Sequence, residues 1–326
     1  MHACTAALAW VWIPIVVWAA FAQTVRNAAQ RSLTREAGTL SATLARFLYG
    51  LPCAAAWLLA VWGGQGGGAL PGLAPGYLGW LALGAVSQLG ATAALLRAMQ
   101  ERNFIVAITW SKTEVLQVAL FSALFLGEPP GPWQMAAMAV AVAGVALLSR
   151  PASGGAAPQG PAGRAAAQRC AGRAAAQRCA GRAAAWGLAS GALFALSAVG
   201  FRGAALRLGP EVSPWLAGAW GVLWAQALQS LLLGGYLALR DPVGLAATGR
   251  AWRLSLVAGS MGALASIGWF TAMALRPAAD VRTLGMVEVL FSYAVSRRLF
   301  GEKLAARERW GLLLVAAGLV GVCAAL

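Results

Sequence analysis

Acidic side chains are scarce in this chain, with ten Asp and Glu among 326 residues. There is one histidine, His2, and the five cysteines (Cys4, Cys53, Cys170, Cys179 and Cys323) include no CxxC pair. A His/Cys metal centre or a disulfide framework cannot be assembled from that inventory, and no cofactor or metal is expected. HExxH, GxSxG, DxxD and the nucleotide-binding P-loop are missing as well, which leaves hydrolases and ATP-driven pumps without a motif. The chain is not expected to be an enzyme. The competing class, a membrane-embedded enzyme or flippase acting on a lipid-linked substrate, would need carboxylates, His or Cys gathered at one membrane face.

Long polar segments are equally absent. Hydrophobic residues make up 60% of the chain and charged ones 11%, with a mean hydropathy of +0.69, a balance foreign to soluble domains. Apolar runs recur at the length of about 20 residues needed to cross ~30 Å of hydrocarbon. Ten are expected to be spans: Ala6–Val25, Leu40–Trp62, Tyr77–Ala98, Phe104–Leu126, Trp133–Leu148, Trp186–Leu206, Pro214–Leu239, Leu254–Leu275, Val281–Phe300 and Trp310–Leu326. In lipid each backbone group must bond within its own segment, so these runs are helices. The expected class is an all-α membrane protein with ten transmembrane helices.

The net charge of +15 would suggest a nucleic-acid partner in a soluble chain. Here the basic residues sit in short loops, where they set topology and touch anionic lipid. No nucleic acid is expected, and membrane lipid is the expected partner of those loops.

Residues 150–185 carry AGRAAAQRC twice in succession, at Ala162–Cys170 and Ala171–Cys179. A basic low-complexity linker is the expectation, flexible by default, with a short surface helix as the alternative. It divides the spans five and five, into 1–149 and 186–326. Residues 98–148 written over 272–322, a constant offset of 174, give twelve identities in 51 positions. They include Arg102/Arg276, Glu114-Val115-Leu116 over Glu288-Val289-Leu290, Gly127-Glu128 over Gly301-Glu302, and Ala143-Gly144 over Ala317-Gly318. Apolar composition alone would match Ala, Leu and Val, but not charged positions in register, so an internal duplication is inferred. The first spans match through VRNAAQR at Val25–Arg31 against FRGAALR at Phe201–Arg207. Because five spans is an odd number, the second half enters the membrane inverted, the architecture of secondary transporters. Such repeats with unequal polar linings also suit alternating access better than an open channel.

These features resemble the EamA-like branch of the drug/metabolite transporter superfamily. The resemblance rests on LARFLYGLP at Leu44–Pro52 and on the end of each half, a Gly-Glu turn followed by a Gly-containing last helix. It implies a carrier of small metabolites, amino acids or drug-like solutes, an exporter, multi-pass in a cell inner membrane, monomer or homodimer. In the small four-helix relatives of the superfamily a glutamate in the first helix couples protons. Ala6–Val25 holds no acidic residue, so coupling to a proton or another ion does not carry over residue for residue.

A charge at the bilayer centre costs roughly 2.5–3.5 kcal/mol on insertion scales, so the few that remain mark a pathway or a pair. They are Lys112 and Glu114 in the fourth span, Glu288 in the ninth and Arg46 in the second. Residues two apart do not face each other on a helix, so Lys112 and Glu114 each need a partner elsewhere. Glu114 shares a face with Trp110, Ser111 and Gln117; Glu288, its duplicate, shares one with Gly285 and Ser292. The candidates for substrate binding or coupling are Glu114, Lys112, Glu288, Trp110, Gln117, Ser292, Gln88 and Arg46. Lys112 is expected to neutralise one glutamate across the interface, leaving the other for a cationic group or a proton. The alternative is a structural charge network, and Arg46 could equally snorkel to the interface. Two acidic positions and one basic one favour a small zwitterion or cation over a multiply charged anion.

Outside the spans, Lys and Arg lie in the loops after spans one, three, five, seven and nine, with Arg202, Arg207, Arg276 and Arg282 as the exceptions. The positive-inside rule puts those loops in the cytoplasm and both termini outside. The family resemblance implies cytoplasmic termini.

Overall fold

The structure, a computed structural model, describes residues 2–101, 111, 113–148, 173–291 and 306–324. Every regular element in it is helical. In chain order they are α1 (His2–Ala37), α2 (Thr39–Leu48), α3 (Leu51–Gly64), α4 (Pro75–Glu101), α5 (Glu114–Phe121), α6 (Pro132–Leu148), α7 (Arg173–Leu206), α8 (Pro214–Arg240), α9 (Pro242–Arg250), α10 (Trp252–Leu275), α11 (Ala278–Leu284) and α12 (Ala306–Ala324).

Five segments are long and apolar enough to cross a membrane: Thr39–Gly64, Pro75–Leu95, Ala184–Leu206, Pro214–Arg240 and Trp252–Leu275. Glu114–Leu126, Pro132–Leu148 and Arg309–Ala324 are shorter apolar helices. The chain is an all-α membrane protein. Parts of the fourth and ninth expected spans lie outside the described residues.

Local chemistry accounts for the element ends. Ser213 accepts from the Leu216 N–H at 3.2 Å and Asp241 from the Gly244 N–H at 2.9 Å. Each cap is followed by proline at the first helical position, where no N–H is needed. Past α5 the chain widens into a π turn, Ser122–Leu126, and stops at Gly127, whose φ of 67° is the left-handed conformation glycine adopts without strain.

Three details differ from the sequence expectation. The second span bends at Tyr49–Gly50, between α2 and α3, and a Cβ on Gly259 of α10 would come within 2.9 Å of the Gly50 nitrogen. The loop between α8 and α10 holds the short helix α9. Residues 173–185, expected to be flexible linker, are helical and run directly into the sixth span.

Helix association in lipid depends on close backbone approach at small residues rather than on the hydrophobic effect. The third span, α4, lies against the sixth, α7, and the first, α1, lies against the eighth, α10. At the former contact a Cβ on Gly200 would stand 2.7 Å from the Gly84 nitrogen; at the latter, one on Gly268 would stand 2.7 Å from Ala19 Cβ. The α6–α12 contact is reciprocal. Gly144 faces Gly311 and Val315, whereas Gly318 faces Ala137 and Ala141. The 174-residue offset carries 137 onto 311, 141 onto 315 and 144 onto 318. Each partner thus presents the same patch to the other, as a two-fold relation requires.

Candidate functional site

Polar residues placed on helical faces at i, i+3 and i+4 converge on one cavity of about 600 Å³. Gln23, Arg26 and Asn27 come from α1, and Arg46 from the last turn of α2. Gln88 comes from α4, Ser111 and Glu114 from the fourth span, Trp269 from α10, and Arg282, Gly285, Met286 and Glu288 from α11 and the turn after it. Leu95, Val115, Phe194 and Val289 complete an apolar part of the wall. The volume lies within the range of small-molecule sites.

Both glutamates lie within short stretches of backbone that carry bonds three residues back. Thr113 precedes α5, and the Leu116 N–H bonds to the Thr113 carbonyl, three residues back. In the ninth span the N–H groups of Met286, Glu288 and Val289 bond three residues back, to Thr283, Gly285 and Met286. Glu114 opens α5, and Glu288 lies in the first turn of the helix that resumes at 287. Such N-termini carry partial positive charge that steadies a carboxylate by about 0.3–1 kcal/mol.

The two carboxylates have different partners. Glu288 accepts from Gln23 Nε2 at 2.7 Å and from Asn27 Nδ2 at 2.8 Å, one amide on each oxygen. Gln23 is held in turn by the Trp269 indole N–H, which donates to its Oε1 at 3.0 Å. Glu114 Oε1 lies 3.3 Å from Arg282 Nε, an ion pair without hydrogen-bond alignment. The Arg282 guanidinium also sits 5.5 Å from the Trp269 ring centroid. Gly285 makes that arrangement possible, because a Cβ there would come within 2.5 Å of the Trp269 ring.

Glu114, Glu288, Gln88 and Arg46 of the sequence candidates therefore meet in the cavity. Gln88 accepts from buried Gln229 at 2.7 Å. Gln117 does not join them: its amide donates to Thr113 Oγ1 at 3.2 Å, and its Oε1 faces Gly191 where α5 packs on α7. Trp110, Lys112 and Ser292 lie outside the described residues, as does Glu302. Arg26, Asn27 and Arg282 were missed as site residues because each lies at the end of an apolar run, where charge reads as loop. The spacing of Gln23, Arg26 and Asn27 on one helical face was the available signal. The described lining holds three arginines against two glutamates.

A second polar cluster lies outside the cavity lining. Arg202 of α7 donates through Nη2 to Glu128 Oε1 at 2.7 Å, and through Nη1 to the Met273 and Ala274 carbonyls at 2.8 and 3.2 Å. Nearby, Arg276 lies 3.9 Å from buried Asp280, to which Gln134 donates at 3.4 Å. Glu128, expected to be a structural turn residue, is thus the anchor of an ion pair that ties the turn after the fourth span to α7 and to the end of α10.

Residues 7–150 match the EamA-like transporter family. EamA-like proteins are transporters, and the function class that accompanies the match is movement of small solutes across a membrane by a multi-pass membrane protein. A solved crystal structure of another protein superposes with a TM-score of 0.66, covering 98% of this chain and 99% of its own, at 16% identity. That likeness shows the fold alone. No curated protein matches the chain.

Proposed function

We propose that the chain is a secondary transporter exporting a small metabolite, amino acid or drug-like solute across a cell inner membrane by alternating access. Two inverted five-helix repeats, 1–149 and 186–326, joined by the basic segment 150–185, would form the moving halves. The carrying observation is the cavity in which Glu114 and Glu288, related by the 174-residue offset, face one space from opposite halves.

Other features support this reading. Each glutamate lies in the first turn of a helical segment beside the cavity, next to a turn of backbone. Reciprocal α6–α12 packing and the exchange of first and third spans between halves are what a duplicated, two-fold arrangement would produce. In this reading solute enters from the end that carries the basic loops, and Arg202–Glu128, outside the cavity lining, bars the other way. By the positive-inside rule the entry side would be the cytoplasm. Counterflow in proteoliposomes tests the proposal, since a carrier exchanges labelled for unlabelled solute whereas a channel or an enzyme does not. Counterflow lost in both Glu114→Gln and Glu288→Gln at normal protein abundance supports it; full counterflow in both overturns the assignment of the site.

A further inference from the structure

The charges of the cavity are not balanced. Among the described residues three arginines face two glutamates: Glu114 pairs with Arg282 at 3.3 Å, and Glu288 accepts from the Gln23 and Asn27 amides while its charge also acts on Arg26. Neither glutamate forms a salt bridge with Arg26 or Arg46. Arg26 is only 7% exposed, and its hydrogen bonds go to the amide oxygen of its own neighbour, Asn27, at 2.7 and 3.2 Å. Arg46 lies over the Phe47 ring at 4.8 Å, and its buried Nε has no hydrogen-bond partner. Both side chains rest on the same spot of α10, since a Cβ on Gly262 would meet Arg46 Cγ at 3.1 Å and Arg26 Cδ at 3.3 Å.

Two arginines whose stems share one spot in a membrane interior are costly unless something negative joins them. The planar fork of arginine donors matches a carboxylate. We propose that Arg26 and Arg46 form the docking subsite for a carboxylate of the transported solute, and that this solute is a small organic anion with one carboxylate. The proposal rests on the transporter reading and adds the substrate class to it. Bound there, the carboxylate would accept from the guanidinium groups, and the apolar remainder would lie toward Phe194 and Trp269, two other walls of the same cavity.

The test is a thermal-shift titration of the full chain in lipid nanodiscs with benzoate, benzamide, benzylammonium and inorganic phosphate. Benzoate is expected to give a saturable rise in melting temperature that the neutral and cationic probes do not. Arg46→Gln is expected to weaken the apparent benzoate affinity at least tenfold, and Arg46→Lys, which keeps the charge but loses the fork, by less. The anion subsite is overturned by no saturable benzoate shift in the unmodified chain, by a larger shift with benzylammonium or phosphate, or by equal benzoate affinity in Arg46→Gln. An Arg46→Gln chain that shows no folding transition transfers the comparison to Arg46→Lys, where undiminished affinity overturns the fork. Because the readout is binding, benzylammonium binding in place of benzoate removes only this inference. Failure of counterflow for every solute removes the transporter reading instead.

Discussion

Arg26 and Arg202 hold the same place in the heptapeptides VRNAAQR and FRGAALR, yet their surroundings differ. Arg202 spans a carboxylate and two carbonyls and lies outside the cavity lining. Arg26 reaches only the amide oxygen of Asn27 and borders an open cavity. Under the proposed duplication these two positions are equivalent, and their surroundings are unequal. The heptapeptides differ at the position that matters, since Asn27, which accepts from Arg26, is replaced by Gly203 beside Arg202, and Arg202 finds its partners across the bundle instead. The proposed alternating access would use such an asymmetry, one side held while the other admits solute.

The largest expected effect tests the held side. Arg202→Ala strands the Glu128 carboxylate and releases two carbonyls, and breaking a buried pair from one side costs about 3–5 kcal/mol. The melting temperature in nanodiscs is expected to fall sharply for Arg202→Ala and far less for Arg26→Ala, which leaves no carboxylate stranded. Equal losses would erase the distinction between the two sides. Next come Gly144→Ala and Gly318→Ala, whose added Cβ atoms would stand 2.6 Å from Val315 N and from Ala141 Cβ. Overpacking of this kind costs about 1–3 kcal/mol, and reciprocal packing predicts similar losses for the two. A strongly one-sided result would break the two-fold relation.

Glu114→Gln and Glu288→Gln sharpen the comparison on the open side. Each is expected to lower the transport rate at least tenfold at unchanged abundance, equivalent to about 1.4 kcal/mol. The smallest effect is expected from Gln117→Ala, which removes one hydrogen bond outside the cavity. About 0.5–1.5 kcal/mol of stability should go and transport should stay near normal; a tenfold transport loss would return Gln117 to the site.

The helices were legible in the sequence because an apolar run of membrane length has no alternative to helix, and the duplication pointed to Glu114 through Glu288. The bend at Tyr49–Gly50 and helix α9 were not legible, since both depend on what their backbones meet across the bundle. Arg26 and Arg282 escaped notice for a related reason. An arginine at the end of a span reads as a loop charge until the packing shows it turned inward, against Gly262 in one case and Trp269 in the other. Gln117 shows the reverse error, since sharing a helical face with Glu114 did not carry it past the contact with Gly191 into the cavity.

The most direct measurement asks from which side the cavity is reached. In a chain whose five native cysteines are replaced, Gln88→Cys would place a thiol in the cavity wall, accessible to a membrane-impermeant thiol reagent in oriented vesicles. One-sided access predicts labelling from the side of the basic loops alone, with labelling from the opposite side appearing once Arg202→Ala is added. Labelling from both sides with Arg202 intact would contradict the account.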